Sequence, residues 1–272
     1  DRNTPRPWLN YLCNERFASC ISNSGLGFTW LFTSLLRITK YEHEIDYLPR
    51  EFQDGREIIL HDIDTGQQWH AFRDAENVEC IHRPGLTRLE ALHSGIRVIM
   101  ELFVPPRDSG ECWLLSFRNE SGKPRSLNLR LEQTWTFSYF GIHTAEEGIP
   151  YLSTPGKNLE TWCQGNGIYA RTRNPELPLP LFGTFFSAEP TDPEIIDVVE
   201  ERKDGRTFVF KKCRLSKKLT LTTAAEENIH IFSGADTEER FLTQIPATYS
   251  NPATFEERKK QALSERAIME KR

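Results

Sequence analysis

The sequence predicts an all-β protein, a large antiparallel sandwich followed by a helical tail. Three observations carry that reading. Apolar and polar residues alternate through most of Ser126–Phe140, shorter alternations recur at intervals of about ten to fifteen residues, and turn chemistry without helical periodicity separates them. The tail differs in kind. Phe255–Arg272 reads FEERKKQALSERAIMEKR, with neither glycine nor proline.

In Ser126–Phe140, Leu127, Leu129, Leu131, Trp135, Phe137 and Tyr139 alternate with Asn128, Arg130, Glu132, Thr134, Thr136 and Ser138. Period two over that length requires a long strand with one face in the core and one face wet. Ile96–Val104 and Cys112–Asn119 repeat the pattern. Shorter versions lie at Arg56–His61, Leu86–His93, Leu181–Ser187, Thr207–Leu215 and Asn228–Ser233. Between them stand Asp54-Gly55, Asp64-Thr65-Gly66, Ser94-Gly95, Ser109-Gly110, Ser121-Gly122 and Asp204-Gly205, the residues that tight turns demand. Strands in succession with no interleaved helices favour an antiparallel sandwich over a βαβ fold. The predicted division is a sandwich over 1–235 and a helical linker over 236–272. In the linker Phe255, Ala262, Leu263 and Ala267 form one apolar stripe, so the helix should pack on something. A chain that stops inside a charged amphipathic helix is expected to continue in a larger protein.

Of the 272 residues 38% are hydrophobic, and 17 Phe and 6 Trp are spread along the length, enough apolar area for a substantial core. A net charge of -5 and a pI near 5.9 disfavour a nucleic-acid or anionic-membrane partner. The basic run Lys211–Lys218 reads as an exposed strand edge blunted by lysines. No stretch approaches the ~18 apolar residues of a membrane span, and Asp1–Pro7 is polar and proline-broken, unlike a signal peptide. Six scattered cysteines without a CxxC pair fit reduced thiols in a cytoplasmic protein.

No catalytic motif emerges from the residues alone. Ser24-Gly25-Leu26-Gly27-Phe28 lacks the third glycine of a dinucleotide loop and the Gly-Lys of a P-loop. His61-Asp62-Ile63-Asp64-Thr65-Gly66 resembles the start of a calcium loop, but no later acidic ligand follows, and a hairpin turn is the simpler reading. Seven histidines include no HExxH, so no metal site is expected. Two connections, Gly141–Asn158 and the proline-rich Asn174–Pro180, are long enough to be functional loops.

The opening residues carry a family signal. Thr4-Pro5-Arg6-Pro7-Trp8-Leu9-Asn10-Tyr11, then Asn14-Glu15-Arg16-Phe17, then Ile21-Ser22-Asn23-Ser24-Gly25-Leu26-Gly27-Phe28 resemble the start of the cellobiose, cellodextrin and chitobiose phosphorylases. Arg37-Ile38-Thr39, Asp62–Gly66 with Trp69, Phe103-Val104-Pro105 and Asn119-Glu120-Ser121 continue the resemblance in order. It implies a super-sandwich of the galactose-mutarotase type, a helical linker, and beyond it an (α/α) barrel. That barrel would carry the aspartate general acid, while inorganic phosphate attacks the anomeric carbon with inversion. No catalytic residue, metal or cofactor is then expected in this chain, with phosphate the co-substrate of the whole enzyme. The resemblance also implies a homodimer in which the loop after the aromatic strand reaches the neighbour's acceptor site. On that basis His143, Glu146, Glu147 and Tyr151 are the candidate oligosaccharide-binding residues, although the loop departs from the Asn-Phe-Gln-Arg type stretch of cellobiose-active members.

The resemblance thus implies a non-catalytic domain that scaffolds and dimerises a phosphorylase acting on β-linked gluco-oligosaccharides, and two other readings stand beside it. One is a stand-alone carbohydrate-binding sandwich with exposed aromatic rings. The other is an aldose epimerase, which needs a histidine and a carboxylate facing one cleft.

Overall fold

Leu127, Leu129, Leu131, Trp135 and Phe137 enter the core at 1% exposure or less, as their alternation dictates. They belong to a 15-residue strand around which a computed structural model, describing residues 8–40, 56–139, 153–201 and 207–269, is organised. In chain order the strands are β1 (Leu9–Cys13), β2 (Phe17–Ser22), β3 (Gly27–Leu31), β4 (Leu36–Thr39), β5 (Arg56–Asp62), β6 (Gln68–His70), β7 (Asn77–Arg83), β8 (Leu86–His93) and β9 (Ile96–Phe103). They continue as β10 (Gly110–Asn119), β11 (Arg125–Tyr139), β12 (Leu159–Gln164), β13 (Gly167–Thr172), β14 (Leu181–Ser187), β15 (Asp192–Glu201), β16 (Thr207–Leu221) and β17 (Glu226–Asp236). Two helices follow, α1 (Phe241–Tyr249) and α2 (Pro252–Met269).

The strands form two antiparallel sheets. One runs β1-β2-β3-β4-β11-β16-β15, with β5 and β6 attached beside β11, and the other runs β12-β13-β14-β17-β10-β9-β8-β7. Because β11 is so long, one of its edges serves two partners: Leu127–Gln133 pairs with β5, and Trp135–Tyr139 with β4. Between the sheets lies one continuous apolar core containing Trp113, Trp135, Phe117 and Phe185. The sandwich prediction therefore stands.

Two local expectations do not. The polar face of β11 is wet only at its start; Glu132, Thr134, Thr136 and Ser138 are all buried at 3% or less. Polar groups that leave water need partners, and Thr136 Oγ1 lies 2.8 Å from Ser138 Oγ while Glu132 accepts from Arg214 Nε at 2.6 Å. Nor is most of the lysine-rich run an edge. Lys211–Ser216 of β16 is paired on both sides, by β11 and β15, and its cations match acids across the ladder, Lys211 with Asp197 and Arg214 with Glu194, both at 2.7 Å, while Lys217 and Lys218 pair with β11 and lie past the end of β15. Cross-strand complementarity explains the run.

The motif glycines and aspartates are structural. In the β2–β3 hairpin a Cβ on Gly27 would lie 1.9 Å from the Cys20 carbonyl oxygen, so only glycine lets these strands approach. Asp62 Oδ1 accepts the amides of Asp64 and Thr65 while its other oxygen meets Arg125, which makes Asp62–Gly66 an Asx-type hairpin turn, not a calcium loop. Burial opposes ionisation of Asp62, but Arg125 and these amides outweigh it and hold the carboxyl below its usual range.

Candidate linker-docking site and loop root

Strand β17 extends through Asp236, past the point where the sequence loses its strand character, and the chain then turns onto the outer face of the second sheet. That face presents Leu86, Phe103, Cys112, Leu114, Phe186 and Phe232, and the two helices cover it with Phe241, Ile245, Tyr249, Phe255 and Ala262. In α1 the buried positions Phe241, Ile245 and Tyr249 are four residues apart, one stripe of a helix. The stripe read for α2 is narrower than expected. Phe255 and Ala262 are fully or nearly fully buried, but Leu263 is 36% exposed, one position around the helix from Ala262; the side chain of Ala267 lies outside the described residues.

Polar contacts finish what so short an apolar stripe leaves undone. Tyr249 donates its hydroxyl to Asp108 Oδ2 at 2.7 Å, Arg258 Nε lies 3.4 Å from the same oxygen, and Lys259 Nζ reaches Glu101 at 2.8 Å. Burial, with Cys112 and Asp108 beside it, pushes the Tyr249 phenol up, so the hydroxyl remains a donor at any ordinary pH. The docked surface is a small apolar core with a charged rim.

The Asn14-Glu15-Arg16-Phe17 motif belongs to this site. Asn14 Oδ1 accepts the amides of Arg16 and Phe17 at 2.9 and 2.8 Å, forming the β1–β2 turn, while its Nδ2 donates to the carbonyls of Pro105 and Asp108 at 2.7 and 2.9 Å. Arg16 pairs with Asp236 at 2.7 Å, and Asp236 also accepts from Ser109 Oγ at 2.7 Å and from the amide of Thr237 at 2.6 Å. The conspicuous N-terminal motif thus closes on the junction between sandwich and linker. No periodicity in the sequence announced this, because the partners are some 90 and 220 residues away.

Sequence reasoning also missed a histidine–carboxylate pair. His230 Nδ1 lies 2.6 Å from Glu189 Oε1, and Glu189 Oε2 accepts the His230 amide at 2.8 Å. Burial works against charge on Glu189, but the His230 hydrogen bonds hold its carboxyl below the usual range. The imidazole packs against Phe255, with ring centroids 5.2 Å apart. Both carboxylate oxygens are engaged by one residue and the ring lies against a docked helix, so the pair ties a loop to β17 and seats α2. General acid–base chemistry would need these groups turned toward a reachable substrate.

The candidate sugar-binding residues His143, Glu146, Glu147 and Tyr151 lie outside the described residues. Their root is described. Tyr139 N donates to Ser153 Oγ at 2.6 Å and Ser153 N to the Tyr139 carbonyl at 3.2 Å, which places the two ends of that segment side by side. Just before it the β4–β11 register shifts between Trp135 and Ser138, and Phe137 takes a φ of 42°. An aromatic residue at positive φ is a strained conformation that persists only where its surroundings enforce it. Here the ring occupies the space over Gly183, where a Cβ would come within 2.4 Å of Phe137 Cζ. The other long connection is anchored, with Leu177 in the core and Glu176 accepting the Thr154 amide at 2.6 Å.

Comparison with known proteins agrees with this architecture. Residues 1–139 match the family model for the glycosyl hydrolase 94 supersandwich domain. Among curated proteins, a 3-O-beta-D-glucopyranosyl-beta-D-glucuronide phosphorylase of Paenibacillus borealis is 32% identical over 46% of this chain and 16% of its own length. A solabiose phosphorylase from the same organism is 31% identical over 55% of this chain and 20% of its own. An N,N'-diacetylchitobiose phosphorylase of Vibrio furnissii is 30% identical over 50% and 17%. The matched region therefore spans a fifth or less of these relatives. Among solved structures, a protein assigned as an aldose 1-epimerase, from Escherichia coli, superposes with a TM-score of 0.56 at 10% identity, covering 85% of this chain and all of that one. A protein assigned as a kojibiose phosphorylase, from the human microbiome, gives 0.55 at 16% identity, over 93% of this chain and 34% of that one. At such identities these two superpositions speak for the fold.

Proposed function

Since the chain belongs to the glycosyl hydrolase 94 supersandwich family, we propose that it is the scaffolding domain of an inverting phosphorylase that cleaves or forms β-linked gluco-oligosaccharides with inorganic phosphate. The seated linker carries this reading. Two helices cover an apolar sheet face and are fixed at its rim by Tyr249, Arg258 and Lys259, so the sandwich holds the direction in which α2 points. Directing a helix that precisely is useful if a catalytic (α/α) barrel follows it, and transition-state stabilisation there depends on fixed geometry. The general acid and the phosphate site are assigned to that barrel. The segment holding His143, Glu146, Glu147 and Tyr151 is assigned to the acceptor sugar across a homodimer interface, a role supported by the strained root at Phe137. The setting proposed is cytoplasmic.

A carbohydrate-binding role of its own is the second reading, favoured by Trp8 and Tyr11, which are 67% and 59% exposed. The His230–Glu189 pair, seated beneath Phe255, gives an epimerase reading no support. Assaying the chain alone separates an enzymatic reading from the two non-catalytic ones. It is expected neither to release sugar 1-phosphate from β-linked disaccharides with phosphate nor to accelerate mutarotation. Turnover above blank in either assay would overturn the scaffold assignment.

A further inference from the structure

The β1–β2 turn and helix α2 face each other across a cavity of about 380 Å³, lined by Leu12, Asn14, Glu15 and Pro106 on one side and Ala262 and Glu265 on the other. The two are nevertheless joined through a third element, the loop 105–109. Asn14 Nδ2 grips that loop by two backbone carbonyls, Pro105 and Asp108. On its far side the Asp108 carboxylate takes the Tyr249 hydroxyl at the end of α1 and faces Arg258 of α2. The same residue thus offers its carbonyl to the N-terminal turn and its side chain to the linker. One residue further, Ser109 holds Asp236, which Arg16 of the turn also holds.

We propose that this loop is a relay that makes the seating of α2 conditional on the Asn14 turn, so that a disturbance of the turn frees the linker while the sandwich stays folded. A loop carbonyl released by Asn14 lets Asp108 move, and both contacts that Asp108 makes to the helices then lose their geometry. Where the cavity lies between them, α2 is separated from the turn. Glu15, beside Asn14 in the motif, lines the cavity and is not part of the relay. The relay rests on the scaffold reading only for its purpose, which is to couple the sandwich to whatever α2 positions.

Amide exchange on the 272-residue chain tests it without any sugar or phosphate, so its outcome is independent of the turnover assays. Asn14→Asp retains an oxygen that accepts the Arg16 and Phe17 amides and replaces the Nδ2 donor by a carboxylate oxygen, which cannot bond the Pro105 and Asp108 carbonyls and repels them. It is expected to speed exchange over 252–262 at least tenfold while leaving 127–137 unchanged. Tyr249→Phe retains the ring and loses the hydroxyl, and should do the same. Combining the two should add little beyond either alone, because both break one path. The relay is wrong if α2 keeps its protection in Asn14→Asp, if exchange rises equally over 127–137, or if the two effects multiply as independent ones would.

Discussion

Replacing Glu111 with alanine is expected to destabilise the chain by about 3–5 kcal/mol, the cost of leaving a buried ion-pair partner alone. Glu111 sits on β10, and its carboxylate reaches across the sandwich to Arg56 on β5, with Nη2 at 2.7 Å and Nε at 3.2 Å. Trp113 Nε1 donates to the same carboxylate at 2.7 Å, and the Ser19 hydroxyl from β2 also bonds to it. The paired side chains are 3% and 1% exposed, so water cannot replace the missing carboxylate. Against a typical domain stability of roughly 5–15 kcal/mol, such a loss removes most of the margin. Joint replacement, Arg56→Met with Glu111→Leu, should recover much of it, since an apolar pair carries no desolvation cost. Urea unfolding of the two variants measures this. An alanine variant within about 1 kcal/mol of wild type would mean the pair is solvated in solution.

The second large effect concerns the linker. Phe255 is fully buried, with its ring 5.0 Å from Tyr249 and 5.2 Å from His230. Truncation to alanine removes the main apolar contact of α2, and buried Phe→Ala changes cost about 3–5 kcal/mol. Little remains to hold the helix, because Leu263 is 36% exposed and the other contacts lie at the rim. The expected result is a sandwich with native protection over 127–137 and an α2 that exchanges nearly freely. A helix as protected as in the wild type would show that Lys259 and Arg258 suffice to hold it.

Which parts of the molecule could be read from sequence follows from how each strand meets water. Strands β8 and β14 were predicted with their observed bounds, and β11 to within one residue at each end; in β8 and the first half of β11 one face enters the core and period two results, whereas β14 is buried on both faces. Strand β2, FASCIS, is buried on both faces with small residues and shows no alternation. Edge strand β15 was missed for the opposite reason: DPEIIDVVEE is acidic because it complements β16, a pairing visible only once the two are adjacent. The reading of Lys211–Ser216 as an edge failed for the same reason. At the candidate site, family resemblance drew attention to Asn14–Phe17 without giving the motif a task. Asp108, Asp236 and Tyr249, which give it one, are brought to it by tertiary structure alone.

The central claim is that this sandwich supports catalysis carried out by a separate barrel domain. Its most direct test is to supply the chain in trans to an (α/α) barrel expressed from a similar phosphorylase without its own sandwich, and to follow sugar 1-phosphate formation from a β-linked disaccharide. Each component alone is expected to be inactive, and activity should appear and saturate as the chain is titrated in, with Phe255→Ala a poorer activator than the wild-type chain. A barrel that is fully active alone, or that neither binds the chain at micromolar concentration nor gains activity from it, would contradict the account.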